Sequence, residues 1–194
     1  IKIAKKSKLF KRIIVTTDSK KIAKIAISYG AEAPFLRSKK ISHDYSLVYK
    51  ALIDVIKKLK INEKFIFCIY PTAVFTKIVD LKKAFKILKK NKADMVCPVT
   101  KLDNKVLRAF TFNSRKFIKY LIPKYGFYRS QDLPNIFLDT GSFYIYKRNA
   151  LLRSNKKNII PKKTINYLVK NQTVDINDSK DLKLAIKIFK RNKN

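Results

Sequence analysis

Glycine, histidine, cysteine, tryptophan and acidic residues are all scarce in this chain: three glycines, one histidine, two cysteines, no tryptophan and thirteen acids among 194 residues. One histidine and two separated cysteines are too few ligands for a zinc site. Cys68 and Cys97 lie inside the apolar stretches FIFCIY and DMVCPVT, so they read as small buried hydrophobes of a reducing compartment, the cytoplasm. No run of about 18 apolar residues occurs, which excludes a membrane-spanning helix from the sequence pattern. The opening IKIAKKSKLFKR lacks the apolar block of a signal peptide.

An apolar share of 46% and an aromatic share of 12% are enough to fold one domain around a core and argue against a disordered basic tail. Forty-six Lys and Arg against thirteen acids give a net charge of +33. Such a balance can mark a nucleic-acid footprint. Here, however, the lysines are spread over nearly every polar segment, and the enriched residues (Lys, Ile, Asn, Phe, Tyr) have codons rich in A and T. The charge therefore reads as compositional drift, with no specific nucleic acid and no membrane as partner. It still draws in anionic substrates.

Along the chain, RIIVTTDSKKIAKIAISYGAE reads as strand, turn, helix and stop. Ile13–Thr17 are β-branched, Asp18 or Ser19 caps the helix, Ile22, Ala23, Ala26 and Ile27 share one face, and Gly30 ends it. DYSLVYKALIDVIKKLK repeats the helical period, KFIFCIY is a short apolar run of the kind covered on both faces, and a further helix carries Ile78, Leu81, Phe85 and Leu88 in phase. Alternating strands and helices predict an α/β fold with a mostly parallel sheet. From about 105 to 146 the rhythm turns extended and aromatic, which reads as an antiparallel excursion or hairpin arm. The tail TVDINDSKDLKLAIKIFKRNK returns to strand, turn and helix, so residues 1–194 read as a single domain. The chain opens inside a helical pattern (Ile1, Ile3, Ala4) where an α/β unit begins with a strand. A first strand and its loop are thus expected to be missing from these residues.

Ligands of open α/β sheets sit beyond the carboxyl ends of the strands, which directs attention to TTDS, YPTAVF, VTKLD and DINDSKD. The last holds Asp175, Asp178 and Asp181, where uniform composition predicts roughly half an acid per seven residues. A carboxylate pair after a strand seats Mg²⁺ against phosphate oxygens, whereas Asp178 followed by Asp181 also suits a helix start. Asp175 is read as the metal residue and Asp178 and Asp181 as caps. Arg37 and Asp44 stand on the turn-like stretch APFLRSKKISHDYS; the arginine either forks onto a phosphate or base carbonyl or is a solvated surface residue. His43 reads as a surface histidine. Thr72 and its neighbouring N–H groups either meet a nucleotide or belong to an ordinary turn. In YRSQDLPNIFLDTGSFYIY, Asp139 and Gly141 interrupt a strand, as a surface hairpin or the floor of a site for an acidic sugar would.

These segments, in this order and spacing, resemble the acylneuraminate cytidylyltransferases, and within them the pseudaminic acid branch. The resemblance spans nearly the whole chain. It implies a Rossmann-like nucleotidyltransferase sheet with helices on both faces and an extended hairpin arm used in a homodimer. It also implies Mg²⁺, CTP and an acidic nine-carbon sugar as reactants. Sialic and legionaminic acids are the alternative sugars, and a non-catalytic remnant is the alternative to an enzyme. Carried over by residue, Arg37, Asp44, Tyr70 and Thr72 match the nucleotide segments. Arg129, Gln131, Asp132, Asp139 and Gly141 match the sugar segments, and Asp175 matches the first metal aspartate and catalytic residue. Asn177 stands where the family has a second metal aspartate, Leu138 where the branch has a histidine and Ser142 where it has a glutamine. The glycine- and arginine-rich loop that cradles the triphosphate has no counterpart in residues 1–194.

Overall fold

In chain order the elements of the computed structural model are α1 (Lys2–Ser7), α2 (Lys20–Ser28), α3 (Val48–Lys58), β1 (Phe65–Ile69), α4 (Ile78–Lys90) and β2 (Met95–Leu102). There follow β3 (Phe110–Phe112), β4 (Ile118–Tyr120), β5 (Ile136–Asp139), β6 (Phe143–Lys147), α5 (Arg148–Leu152), β7 (Thr164–Leu168) and α6 (Ser179–Arg191). The structure describes residues 1–155, 157–170, 174 and 176–191. Two units emerge: Ile1–Pro98 with Thr140–Asn194, and Val99–Asp139. Among the described residues no helix is long and apolar enough to cross a membrane.

The first unit is built on β1, β6 and β2, side by side in that order, with β7 also paired to β2. Side chains alternate faces along each strand. Phe65, Phe67, Ile69, Phe143, Ile145 and Val96 pack against Leu81, Ala84 and Leu88 of α4 and Ile3 of α1. Ile66, Cys68, Tyr144, Tyr146, Met95 and Cys97 pack against Val55 and Ile56 of α3 and Leu151 of α5. Helices therefore cover both faces, as the short apolar runs predict. The expectation of a mostly parallel sheet needs correction. β6 enters antiparallel between β1 and β2, from Phe65↔Lys147 to Ile69↔Phe143 and at Met95↔Tyr146 and Val96↔Ile145. The chain reaches β6 from the 99–139 excursion and not through a crossover helix, so it returns in the opposite direction.

Ile13–Thr17 pairs in parallel with the chain after α2 through two single bridges, Ile14↔Glu32 and Thr17↔Leu36. Ser19 caps α2, its Oγ accepting from the Ile22 N–H. Gly30 follows the helix with φ of +80°, and the Ala31 N–H donates to the Ala26 carbonyl, the helix stop that a left-handed glycine supplies. The expected apolar face of α2 is narrower than its periodicity suggests. Ala23 and Ala26 are buried, while Ile22 and Ile27 are about half exposed. The helix docks by its alanine edge, which leaves the larger side chains at the rim.

In the second unit β2 continues beside β5 in antiparallel register, Val99↔Asp139 to Leu102↔Ile136. β3 and β4 form the hairpin expected of the aromatic stretch, Phe110↔Tyr120 to Phe112↔Ile118. Its turn is fixed by Asn113, whose Oδ1 accepts from the N–H groups of Arg115 and Phe117 at 3.0 and 3.1 Å, the local bonding that Asn offers a turn.

Candidate active site

The strand ends of the first unit converge. Where β1 stops, the Tyr70 N–H donates to the Ser142 carbonyl at 3.0 Å. Thr140 donates its N–H to the Pro98 carbonyl at 3.1 Å, and its Oγ1 shares a 2.7 Å hydrogen bond with the Ser142 Oγ. Between them Gly141 takes φ of +58°, a left-handed conformation that costs a residue with a Cβ about 1–2 kcal/mol. The chain from Tyr70 to Thr76 turns tightly, with Ala73 N–H on the Tyr70 carbonyl and Val74 N–H on the Thr72 carbonyl. A pocket opens between this turn and the 140–143 stretch, lined by Thr72, Thr76, Asp80, Gly141, Ser142 and Val174, among others. It lies where β1 ends and β6 begins, the position that α/β sheets favour for ligands.

Asp80 is the one ionisable group among these lining residues, and it is 6% exposed. One carboxylate oxygen accepts from the Tyr167 hydroxyl at 2.7 Å and the other from the Lys77 N–H at 3.2 Å. Desolvation, followed by the hydrogen bond to Asp80 and its charge, pushes the Tyr167 phenol well above its ordinary range. The Thr76 Oγ1 is buried with no hydrogen-bond partner among the described residues. On the α3 face of the sheet, burial pushes the Cys68 thiol up to about 12, so it stays protonated and inert at neutral pH.

Of the residues expected from the sequence, Tyr70, Thr72 and Gly141 meet at this pocket or its edge. Arg37 and Asp44 are not among the described residues lining it. The Arg37 guanidinium lies 3.0 Å from Ser42 Oγ and 3.9 Å from Asp18, and Asp44 is exposed on the turn that follows. In the second unit Arg129 and Asp132 form a two-pronged ion pair, 2.6 and 3.2 Å, across a single turn. Gln131 beside them is exposed, and Asp139 ends β5 opposite Val99.

Asp175 lies outside the described residues; Val174, just before it, lines the pocket. Asp178 and Asp181 serve α6, as read. Asp178 Oδ1 accepts from the N–H groups of Lys180 and Asp181, and Asp181 Oδ2 from those of Asn177 and Asp178. Among the described residues no group of three or more His, Cys, Asp or Glu could hold a metal ion. Thr76, Asp80, Thr140 and Tyr167 are absent from the sequence-based candidates. Asp80 reads as a cap three residues into α4, and Tyr167 as one more aromatic of a strand, so neither carries a signal of its own.

A family profile described as Cytidylyltransferase matches residues 1–189. The chain is 29% identical to the pseudaminic acid cytidylyltransferase of Campylobacter jejuni, over 99% of this chain and 84% of that protein. It is 28% identical to the CMP-N,N'-diacetyllegionaminic acid synthase of the same species, over 94% and 78%. In fold it is similar to CMP:2-keto-3-deoxy-manno-octonic acid synthetase solved with CTP, with a TM-score of 0.60 at 11% identity over 94% of this chain and 82% of that one.

Proposed function

The chain belongs to the cytidylyltransferase family, and on that premise we propose that it transfers CMP from CTP to a nonulosonic sugar acid, pseudaminic acid, releasing pyrophosphate. The observation that carries this reading is the pocket at the strand ends, where Tyr70, Thr72, Gly141 and Ser142 of the matched segments come together. The anomeric hydroxyl of the sugar acid attacks the α-phosphorus of CTP; its oxygen–phosphorus bond forms as the bond to pyrophosphate breaks, and the hydroxyl proton leaves to solvent. Transfers of this kind rest on positioning and charge neutralisation, with little covalent work for side chains. In this reading Tyr70 and Thr72 hold base and ribose, Arg37 and Asp44 frame the nucleotide, and Arg129, Gln131, Asp132, Asp139 and Gly141 hold the sugar acid.

The donors at 175–177 are one carboxylate and one amide oxygen, hard ligands of the type Mg²⁺ accepts when phosphates and water complete its shell. Asp175 and Asn177 would hold the ion, which would supply charge neutralisation for the phosphate oxygens. The reading includes a cytoplasmic homodimer. Its support is the second unit, where Phe112 and Phe127 are 72% and 97% exposed, apolar surface of the kind that association covers.

The test is an assay of pyrophosphate release from CTP and Mg²⁺ with pseudaminic, N,N'-diacetyllegionaminic and N-acetylneuraminic acids. The expected result is a kcat/KM for pseudaminic acid about tenfold or more above the others. Preference for another acid overturns the sugar assignment, and no turnover with any of them overturns the activity.

A further inference from the structure

We propose that the buried Asp80–Tyr167 pair is the positioning element of the nucleotide site, holding the Tyr70–Thr76 turn so that Thr72 and the buried Thr76 hydroxyl face the bound nucleotide. This rests on the cytidylyl-transfer reading and extends it to residues that no motif marks.

The argument begins with what the pair joins. Asp80 belongs to the first turn of α4, directly after the turn that carries Thr72 and Thr76, and Tyr167 belongs to β7 and sits in the core against Phe143 and Leu81. Their 2.7 Å hydrogen bond closes 87 residues of chain. The other Asp80 oxygen takes the N–H of Lys77, the N-cap of α4, so one carboxylate fixes the start of the helix at the residue that follows the turn. A carboxylate this buried is costly unless hydrogen-bonded, and a surface cap of α4 would avoid that cost. Its placement at a pocket wall, beside Thr72 and Ser142, gives the cost a function.

The second observation is Thr76. A buried hydroxyl without a partner among the described residues calls for an explanation, and this one lines the same pocket four residues before Asp80. A hydroxyl or phosphate oxygen of the ligand would satisfy it. Thr76 can present its hydroxyl this way only if the turn is held, and Asp80 holds it.

The test is CTP binding by calorimetry, which does not require turnover, on the wild type and on Tyr167→Phe, Asp80→Ala and Asp80→Asn. Ligand-free melting is measured alongside. Tyr167→Phe leaves the ring in the core and removes one charge-assisted bond, so CTP binds about tenfold more weakly. Asp80→Ala removes both bonds and weakens binding further. Asp80→Asn can accept from Lys77 and donate to the Tyr167 oxygen, so affinity stays within about threefold of the wild type. Lower melting temperatures with unchanged CTP affinity in Tyr167→Phe and Asp80→Ala overturn the proposal, since the pair then serves only the fold. A wild type that binds no CTP overturns the proposed function together with this inference.

Discussion

The two units of the chain hold their apolar residues in opposite ways. In the first, Leu81, Leu88, Val96, Phe143 and Ile145 are sealed between helices and sheet. In the second, Phe110, Phe112, Phe117, Ile118 and Leu121 of the hairpin region all stand more than half exposed. There the backbone is ordered by local devices, such as the Asn113 turn and the Asp103 side chain on the Lys105 N–H. The difference shows where stability resides. The first unit carries most of the hydrophobic free energy, whereas the second buries a few apolar side chains such as Leu107 and Leu133 and otherwise presents surface.

The largest expected effect tests that division directly. Leu88→Ala empties a fully buried site beside Val96 and Ile145 and should cost about 2–5 kcal/mol in a denaturant titration. Phe112→Ala, at a side chain 72% exposed, should change stability by less than about 0.5 kcal/mol. Equal losses for the two would break the comparison and show that the hairpin face is covered in solution.

A smaller effect sharpens it. Arg129 and Asp132 are paired on the surface of the second unit, and exposed pairs contribute about 0–1 kcal/mol. Arg129→Ala should therefore leave the melting temperature nearly unchanged. If Arg129 serves the sugar acid, the same substitution raises KM for that substrate about tenfold or more, the worth of one charge-assisted contact. A fall in stability without a change in KM would reassign the arginine to the fold.

The same division governs what could be read from the sequence. α3 and α4 were legible because docking one face on the sheet imposes a helical period, and β1 and β2 because cover on both faces leaves a continuous apolar run. Gly30 and Ser19 were legible because helix ends need particular residue types. The antiparallel return was legible as the end of the extended 105–146 stretch, but the insertion of β6 between β1 and β2 was not, since FYIYK names no partner. α2 misled because periodicity marks a face without saying how closely anything packs on it. At the site, Thr72 and Gly141 belong to recognisable segments, whereas Asp80 and Tyr167 acquire meaning only when α4 and β7 are brought side by side. Asp178 and Asp181 were legible as a helix start from their spacing, and their carboxylates do accept from the N–H groups there.

The smallest expected effect lies where the Ile13–Thr17 segment meets the chain after α2. Arg12 grips Glu32 with contacts of 2.6 to 3.3 Å, beside the bridge Ile14↔Glu32. The hydrogen bond from Arg12, the largest cause, and its charge hold the Glu32 carboxyl below its usual range, against a smaller opposing effect of desolvation. A carboxyl with a lowered folded pKa stabilises fully above its unfolded pKa, about 4.3, and loses that contribution as pH falls through the folded value. Arg12 stays charged throughout, so Glu32 alone titrates. The melting temperatures of the wild type and Glu32→Gln should differ by a small constant amount from about pH 8 to pH 5 and converge below about pH 4. Salt at about 1 M should narrow the gap, because both side chains reach solvent. A gap that stays flat into strong acid would mean that the parallel bridges, and not the ion pair, hold this edge together.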